Sequence, residues 1–227
     1  MITLAFETCY GACSAAIGEA DNVSARVIAS RLERMATGHA ERLPLLIEAV
    51  ASEAGITLRQ LQRIAVTIGP GSFTGIRVGV AMARGLALAT GAEVVATTSL
   101  ALISTGAGLA GADHAVAMPG PKGLVAVELF GSTPTPPRLL EPVELAAALP
   151  AACRYICGAG SRTAAVELAK IGRCIEARDV VDEPSASTLL RLAGTLSPVS
   201  DALLPLYLKE ADAKPQIDRA LPRVPST

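Results

Sequence analysis

The stretch IAVTIGPGSFTGIRVGVAMARGLALAT, residues 64–90, decides how the rest of the chain is interpreted. It begins with a short apolar segment, turns through Gly-Pro-Gly at residues 69–71, and continues as a small-residue helix whose only charges are Arg77 and Arg84. Proline fixes φ, glycine accepts positive φ, and Ser72 is a suitable N-cap, so the pattern predicts a strand, a tight turn and a helix.

The turn at residues 69–71 lies where a helix N-terminus could receive an anion. It does not match the known phosphate loops. A P-loop needs lysine after its second glycine, whereas Ile76 follows Gly75, and a dinucleotide fingerprint needs glycine at the position of Thr74. Two interpretations stay open here: a glycine turn required by backbone geometry alone, or a site for a bound phosphate.

The helix after the turn carries a ridge of small residues. Gly75, Gly79, Ala83 and Ala87 recur every four positions, which places them on one face and lets another backbone approach closely. A helix this apolar is normally covered on more than one side. The ridge therefore predicts packing against a second helix or a second subunit, with an ordinary neighbour within the chain as the alternative.

The composition argues against a nucleic-acid-binding protein, a zinc protein and a membrane protein. The 227 residues carry a formal net charge of −1 and contain no cluster of basic residues. The chain therefore lacks the positive charge that a protein needs to bind nucleic acid by itself. Five cysteines without a C-x-x-C pair, together with only two histidines, favour reduced cytosolic thiols over a structural zinc site. Residues 94–112 lack charge but contain too many glycine, serine and threonine residues for a membrane helix.

The first hundred residues show a regular order of elements. Alternating apolar runs predict three strands at residues 3–6, 13–17 and 23–30. A helix begins at His39, and after the strand–turn–helix of residues 64–90 another strand is predicted at 93–96. Beyond residue 97 the pattern weakens. Strands are predicted at 116–118, 124–130 and 155–157, a loop at Pro134, Pro136 and Pro137, and a last helix capped by Ser185.

The segment GPGSFTGIRVG, residues 69–79, closely resembles the signature of the TsaB (YeaZ) family, non-catalytic relatives of the tRNA threonylcarbamoyl-transferase TsaD. Three other segments agree with that family in the same order along the chain: LAFETCYGACSAAIG at residues 4–18, HAERLPLLIEAV at 39–50 and PLYLKEADAKPQ at 205–216. Residues 101–200 are less family-like, so the resemblance is specific for the N-terminal half and the closing segment.

The resemblance implies an α/β, actin-like ATPase fold (the ASKHA, ribonuclease H-like class) with two lobes and mixed sheets flanked by helices. The predicted N-terminal lobe covers residues 1–100, with a return segment at 203–215. The predicted smaller C-terminal lobe covers residues 101–202, and residues 216–227 are predicted to be a mobile tail.

The resemblance also implies a function: a cytoplasmic, non-catalytic scaffold and activator in the tRNA threonylcarbamoyladenosine modification complex. Implied partners are the TsaD-like catalytic subunit and a TsaE-like ATPase, with a homodimer when the chain is alone, tRNA contacted only through the complex, and no membrane. We expect the helices at residues 39–54 and 73–90 to pair across the interface. The candidate interface residues are His39, Leu43, Leu46, Ser72, Phe73, Gly75, Ile76, Gly79, Val80 and Ala83.

The groups that would perform chemistry are missing from the expected places. In actin-like proteins the first hairpin carries an aspartate that works with Mg²⁺ and the nucleotide phosphates, and Glu7-Thr8 stands at the matching place. Glutamate reaches one methylene further, so Glu7 and Thr8 are candidates for a vestigial nucleotide site only. No cofactor is predicted to be required, and weak ATP or ADP binding is left open.

The catalytic relatives hold a metal with paired histidines, but the matching segment here, ATTSLALIST at residues 96–105, has none. We therefore predict no catalytic and no metal-binding residue. Asp113-His114 has no second imidazole beside it, and His39 with Glu41 is interpreted as an exposed polar pair. Two other functions remain as alternatives: a nucleotide-dependent kinase or transferase of the same fold, and a metallopeptidase-like hydrolase.

Overall fold

The computed structural model describes residues 1–109, 111–178 and 184–209. The first sheet has the strand order β3-β2-β1-β4-β5. Strands β1 to β3 form an antiparallel meander, while β4 and β5 run parallel to β1, as the pairs Leu4–Ile64 and Ile64–Val94 show. The predicted mixed sheet is present. Its strands are β1 (Ile2–Glu7), β2 (Ala12–Ala20), β3 (Ala25–Arg34), β4 (Arg63–Thr67) and β5 (Glu93–Thr97).

Helices cover both faces of this sheet. On one face lie α1 (His39–Ala54) and α2 (Phe73–Thr90), whose inward side chains share a core with Leu4 and Phe6. The burial of α1 follows the predicted helical period, and Gly55 ends the helix in the left-handed conformation. The opposite face is covered by α6 (Ala186–Ala193), which Ser185 caps as predicted.

The second sheet has the strand order β10-β9-β6-β7-β8. Its apolar core lies under α4 and α5, and α3 packs on the other side. The elements of this part are α3 (Ser99–Gly106), β6 (His114–Pro119), β7 (Val125–Phe130), β8 (Thr135–Leu140), α4 (Leu145–Ala148), β9 (Tyr155–Cys157), α5 (Ser161–Lys170) and β10 (Glu176–Arg178).

Two sequence-based expectations are wrong in this region. The prolines expected to form a loop include Pro136 and Pro137, which lie within β8, an edge strand that among the described strands pairs with β7 alone. An edge strand tolerates proline because one side of its backbone has no strand to bond. The second error concerns α6, which the predicted boundary at residue 202 assigns to the second lobe. It packs against the first sheet, because its apolar face meets Ala5 and Ala16.

The segment after α6 crosses the first sheet as an extended strap, residues 198–207. Pro198 forms a bridge with Val95 at the sheet edge, and the Val199 N–H donates to the Val94 carbonyl at 2.8 Å. Further on, the Leu206 N–H donates to the carbonyl of Ile68 at 2.7 Å. The expected return to the first lobe is therefore present as far as residue 209. The rest of the predicted return segment, 210–215, and the predicted tail, 216–227, lie outside the described residues.

Candidate functional site

The Gly-Pro-Gly turn before α2 interlocks with the turn of the first hairpin. The Thr8 hydroxyl donates to the Gly75 carbonyl at 2.7 Å, and the Ser72 N–H donates to the Cys9 carbonyl at 2.6 Å. A Cβ atom added at Gly75 would lie 2.0 Å from the Thr8 carbonyl oxygen. Glycine is required at position 75 because two backbones meet there.

The same contacts bear on the phosphate interpretation of this turn. The Ser72 N–H is bonded to Cys9, the Gly75 N–H to the Ser72 hydroxyl at 3.3 Å, and the Ile76 N–H to the Ser72 carbonyl. These amides are among those a phosphate at the start of α2 would use. Since the chain's own atoms accept from them, the structure favours a turn required by backbone geometry over a phosphate cradle.

Glu7 lies at the end of β1, fully buried beneath this turn. Its Oε1 accepts hydrogen bonds from the Cys9 N–H at 2.6 Å and the Thr67 hydroxyl at 3.4 Å. Burial is the main cause that raises the pKa of the Cys9 thiol, and it brings the pKa of Cys13 to about 12. The negative charge of Glu7 is the second cause for both thiols. The two thiols are therefore protonated at neutral pH and are poor nucleophiles. Glu7 and Thr8 both bond to the protein's own loops, while their role as a nucleotide site stays a prediction.

A cleft of about 940 Å³ opens beside the turn, between the two sheets. Its wall is formed by the hairpin turn, the start of α2, the β6–β7 connection and the end of the strap. The lining is mainly apolar and aromatic. The lining includes Tyr10, Pro70, Phe73, Ile76, Leu139 and Tyr207, and the cations Arg77 and Lys209.

An aromatic pair with a guanidinium stands at the rim of this cleft. The rings of Phe73 and Tyr207 lie 5.0 Å apart, and Arg77 sits 3.8 Å above the Phe73 ring while its Nε donates to the Tyr207 hydroxyl at 2.7 Å. Phe73 nevertheless remains 44% exposed. The sequence suggested Phe73 as an interface residue but gave no signal for Tyr207, which lies 130 positions after Arg77.

The small-residue ridge of α2 faces inward. Gly75 and Gly79 lie against Thr8, and a Cβ atom at Gly79 would meet the Thr8 hydroxyl at 2.8 Å. Of the alternatives for this ridge, the neighbour within the chain is the one found, because the first hairpin of the same chain packs against Gly75 and Gly79. Eight of the ten candidate interface residues are buried: His39, Leu43, Leu46, Gly75, Ile76, Gly79, Val80 and Ala83. Ser72 and Phe73 are exposed.

The exposed surface of these helices lies on their opposite faces. On α2 it contains Ala81, Gly85 and Leu88, and the side chain of Leu88 is 91% exposed. On α1 it contains Leu45, which is 52% exposed, and Ala49. We call these five residues the outer helix face. This face was not singled out from the sequence, because α2 carries small and apolar residues on both sides and the exposed Arg77 and Arg84 are its only charged markers of the outward side.

The two histidines are both buried. His39 and Glu41 were expected to be exposed polar residues at the helix start, but His39 is only 5% exposed there. His114 stacks on Phe130, and its Nε2 and Nδ1 lie 2.8 Å from the Ser104 hydroxyl and the Ala112 carbonyl.

Within residues 1–109, 111–178 and 184–209, no group of three or more metal-ligating side chains is found. In the same ranges no helix has the length and hydrophobicity needed to cross a bilayer.

Glu128 joins the second sheet to the start of α3. Its Oε2 accepts a hydrogen bond of 2.6 Å from the hydroxyl of Thr98, which also caps α3. Burial raises the pKa of Glu128 from 4.5 to about 7. Since the unfolded chain loses this proton at lower pH than the folded one, this group's contribution to stability is complete below pH 4.5 and is lost as pH rises through 7.

Replacing Glu128 with glutamine is expected to remove that pH dependence. The Glu128→Gln variant should be more stable than the parent by about 1–3 kcal/mol above neutral pH, and the difference should vanish toward about pH 5. Urea unfolding across that pH range measures it. Glu48→Gln, at an exposed position of α1, serves as the matched control and should follow the parent. Parallel curves for the parent and Glu128→Gln would contradict the assignment.

The family model described as TsaD, tRNA N6-adenosine threonylcarbamoyltransferase, matches residues 23–126. A threonylcarbamoyltransferase of that name from Cereibacter sphaeroides is 49% identical over 69 residues, 30% of this chain and 19% of the relative. The tRNA threonylcarbamoyladenosine biosynthesis protein TsaB of Escherichia coli is 31% identical over 107 residues, 47% of this chain and 44% of the relative. The chain thus spans less than half the length of these relatives.

Two solved structures from Pseudomonas aeruginosa are similar over nearly their whole length. YeaZ gives a TM-score of 0.70 with 27% identity, covering 91% of this chain and 99% of that chain. A protein described as similar to the peptidase YeaZ gives 0.73 with 26% identity, covering 92% and 99%. These likenesses confirm the predicted α/β, actin-like fold class with two mixed sheets flanked by helices.

Proposed function

Because this chain belongs to the TsaB (YeaZ) family, whose Escherichia coli member is a tRNA threonylcarbamoyladenosine biosynthesis protein, we propose that it is the non-catalytic scaffold of that modification machinery. In this role it binds and activates a TsaD-like catalytic subunit, and a TsaE-like ATPase joins the pair. It requires no cofactor of its own and contacts tRNA through the complex, in the cytoplasm. Its net charge of −1 supports an indirect contact with tRNA.

The observation that carries the proposal is the outer helix face. Leu88 and Leu45 expose large apolar side chains on neighbouring helices, and Ala81, Gly85 and Ala49 add small exposed residues to the same two helices. A Cβ atom added at Gly85 would meet nothing within 4 Å. An apolar surface with small residues lets two further helices approach closely, which gives a four-helix interface. A second copy of the chain would use the same face when the catalytic subunit is absent.

The buried polar groups support the non-catalytic part of the proposal. Glu7 accepts hydrogen bonds from Cys9 and Thr67, and the first amides of α2 are bonded to the chain's own oxygens. His114 is enclosed by Ser104, Ala112 and Phe130. Catalytic groups are normally exposed toward a substrate and within hydrogen-bond reach of it, whereas these are used to hold loops together.

Reconstitution of the modification reaction tests the proposal. The TsaD-like protein is purified with and without this chain and assayed for threonylcarbamoylated adenosine in tRNA, with the TsaE-like ATPase present in both. We expect at least about a tenfold loss of product formation when this chain is omitted, which corresponds to roughly 1.4 kcal/mol in the barrier. Equal rates in both reactions would contradict the scaffold role.

The same preparation separates the scaffold from an enzyme. The isolated chain should show no turnover with Mg-ATP, and calorimetry should show at most weak nucleotide binding. Elemental analysis should find no stoichiometric zinc or iron. Tight nucleotide binding with turnover would instead indicate a kinase or transferase, and a stoichiometric metal would indicate a metallopeptidase-like hydrolase.

A further inference from the structure

A fixed arginine stands at the rim of the cleft between the sheets. The guanidinium of Arg77 lies 3.8 Å above the ring of Phe73, and its Nε donates to the Tyr207 hydroxyl at 2.7 Å. These two contacts hold the side chain although Arg77 is exposed. Among the described residues, no hydrogen bond or ion pair uses its two terminal nitrogens. The end of the guanidinium therefore remains as a planar pair of donors, the geometry that binds a carboxylate through two parallel hydrogen bonds.

The charge of the described lining favours an anionic group. Arg77 and Lys209 are its two charged residues, and both are cations. No aspartate or glutamate occurs among the described residues that line the cleft. The buried carboxyl group of Glu7 lies beneath the turn, outside this lining, where it accepts hydrogen bonds from Cys9 and Thr67. Charge complementarity therefore favours a ligand whose negative charge lies at the Arg77 end.

The wall of the cleft next to Arg77 is apolar. Tyr10 belongs to the side of the first sheet, and Leu139 belongs to the side of the second. At the rim, Phe73 and Tyr207 are 44% and 39% exposed, so part of each side chain is accessible to a ligand. Exposed aromatic rings beside an arginine have the composition of the residues that dominate binding at protein interfaces. This lining suits a ligand that carries an apolar group next to its negative charge.

The dimensions of the cleft favour a segment of polypeptide. Its volume of about 940 Å³ is near the upper end of the range of small-molecule sites, roughly 300–1,000 Å³. The wall extends from Tyr10 in the hairpin turn, across Pro119 and Pro121 of the β6–β7 connection, to Tyr207 in the strap. Successive side chains of an extended peptide point in opposite directions. An apolar side chain can therefore enter the cleft while its acidic neighbour stays at the rim.

A nucleotide matches the start of α2 less well. The Ser72 N–H donates to the Cys9 carbonyl, and the Gly75 N–H donates to the Ser72 hydroxyl, so these backbone donors are already used. A polyphosphate at a helix start depends on such amides. Arg77 and Lys209 can pair with a single phosphate as well as with a carboxylate. Competition with ATP separates the two kinds of ligand.

We propose that this cleft binds a peptide segment of a partner protein in which an apolar side chain and an acidic side chain are neighbours. The apolar side chain packs against Tyr10 and Leu139, and the carboxylate pairs with the terminal nitrogens of Arg77. Since Phe73 and Tyr207 already hold the guanidinium, binding loses less side-chain entropy. None of these residues belongs to the outer helix face, so the inference does not depend on the proposed scaffold function.

Fluorescence anisotropy of the full chain with three labelled hexapeptides tests the proposal. The first peptide alternates glutamate and phenylalanine, the second alternates lysine and phenylalanine, and the third alternates glutamate and serine. We expect the first to bind at least about tenfold more tightly than either of the others, because it alone combines negative charge with apolar side chains. Equal binding of the three peptides, or no binding of the first, would overturn the proposal.

Two variants of α2 locate the carboxylate. Arg77→Gln removes the charge at the rim and should weaken binding of the glutamate–phenylalanine peptide by about tenfold or more. Arg84→Gln is the matched control, because Arg84 is also exposed on α2 and also donates to the strap, at the Leu203 carbonyl outside the cleft lining. The Arg84→Gln variant should bind the peptide like the parent. Equal affinities of the two variants would contradict the assigned site.

A pair of charges at Leu139 makes the test independent of the strap. Leu139 lies on β8, in the opposite wall of the cleft. Leu139→Glu should weaken binding of the same peptide by about tenfold, whereas Leu139→Lys should bind it at least as tightly as the parent. Equal binding by these two variants would overturn the proposal. Mg-ATP should displace the labelled peptide less effectively than unlabelled peptide does, and more effective displacement by Mg-ATP would assign the cleft to a nucleotide instead.

Discussion

Replacing Leu88 with aspartate is expected to weaken binding to the TsaD-like subunit by about a hundredfold or more, roughly 2.7 kcal/mol. Leu88 is 91% exposed on α2, and its neighbours on the outer helix face are small or apolar. If this face is covered in the complex, Leu88→Asp places an unpaired carboxylate in a desolvated interface, which costs several kcal/mol unless the partner moves. Calorimetric titration with the purified catalytic subunit measures the effect.

The matched control is Val166→Asp. Val166 is 58% exposed on α5, which packs on the second sheet, far along the chain from the outer helix face. Both substitutions replace an exposed aliphatic residue in a helix with aspartate, so their unfolding free energies should change by similar small amounts. Only Leu88→Asp should lose binding. If both variants bind like the parent, the interface does not lie on this face.

Replacing Gly75 with alanine is expected to destabilise the fold by more than about 3 kcal/mol, because overpacking against backbone cannot relax through a side-chain rotation. The added Cβ atom would lie 2.0 Å from the Thr8 carbonyl oxygen. The hairpin turn and the start of α2 would have to separate, which also breaks the bond from the Thr8 hydroxyl to the Gly75 carbonyl.

Gly85→Ala gives the comparison on the same helix. A Cβ atom at Gly85 meets nothing within 4 Å, so alanine should stabilise the exposed helix by up to about 1 kcal/mol through its higher helix propensity. Urea unfolding of the two variants and the parent provides the measurement. The interlocking of the two turns would be refuted if Gly75→Ala and Gly85→Ala unfolded with the same free energy.

The order of strands and helices in the first hundred residues was largely predictable, because each sequence pattern there is compatible with one type of element. The period of α1 fixes which of its residues are buried, and Gly55 and Ser72 end and begin helices as expected, whereas β1 and β2 are buried on both faces, so alternation alone does not give their burial. The orientation of α2 could not be derived in the same way. Its outward face carries the exposed Arg77 and Arg84 among small and apolar residues, so the sequence separates the two faces weakly, and the contact between Gly75 and Thr8 shows which face is inside.

The remaining errors come from tertiary context. Proline usually marks a loop, yet Pro136 and Pro137 lie in β8 because that strand is at a sheet edge. His39 looks like an exposed helix start, but α1 packs so that its first residue is buried. The cleft was equally hidden, since Tyr10, Phe73 and Tyr207 are far apart in sequence.

The last described helix has a consequence for how this protein is made. The first sheet is built from the N-terminal hundred residues, yet one of its faces is covered by α6, and the Arg63 guanidinium donates to the carbonyl of Ala193, 130 positions later. During synthesis, the nascent chain on the ribosome would therefore expose Ala5, Ala16 and Ala65 until α6 has been translated. Chaperone protection of that surface should matter most just before α6 leaves the exit tunnel.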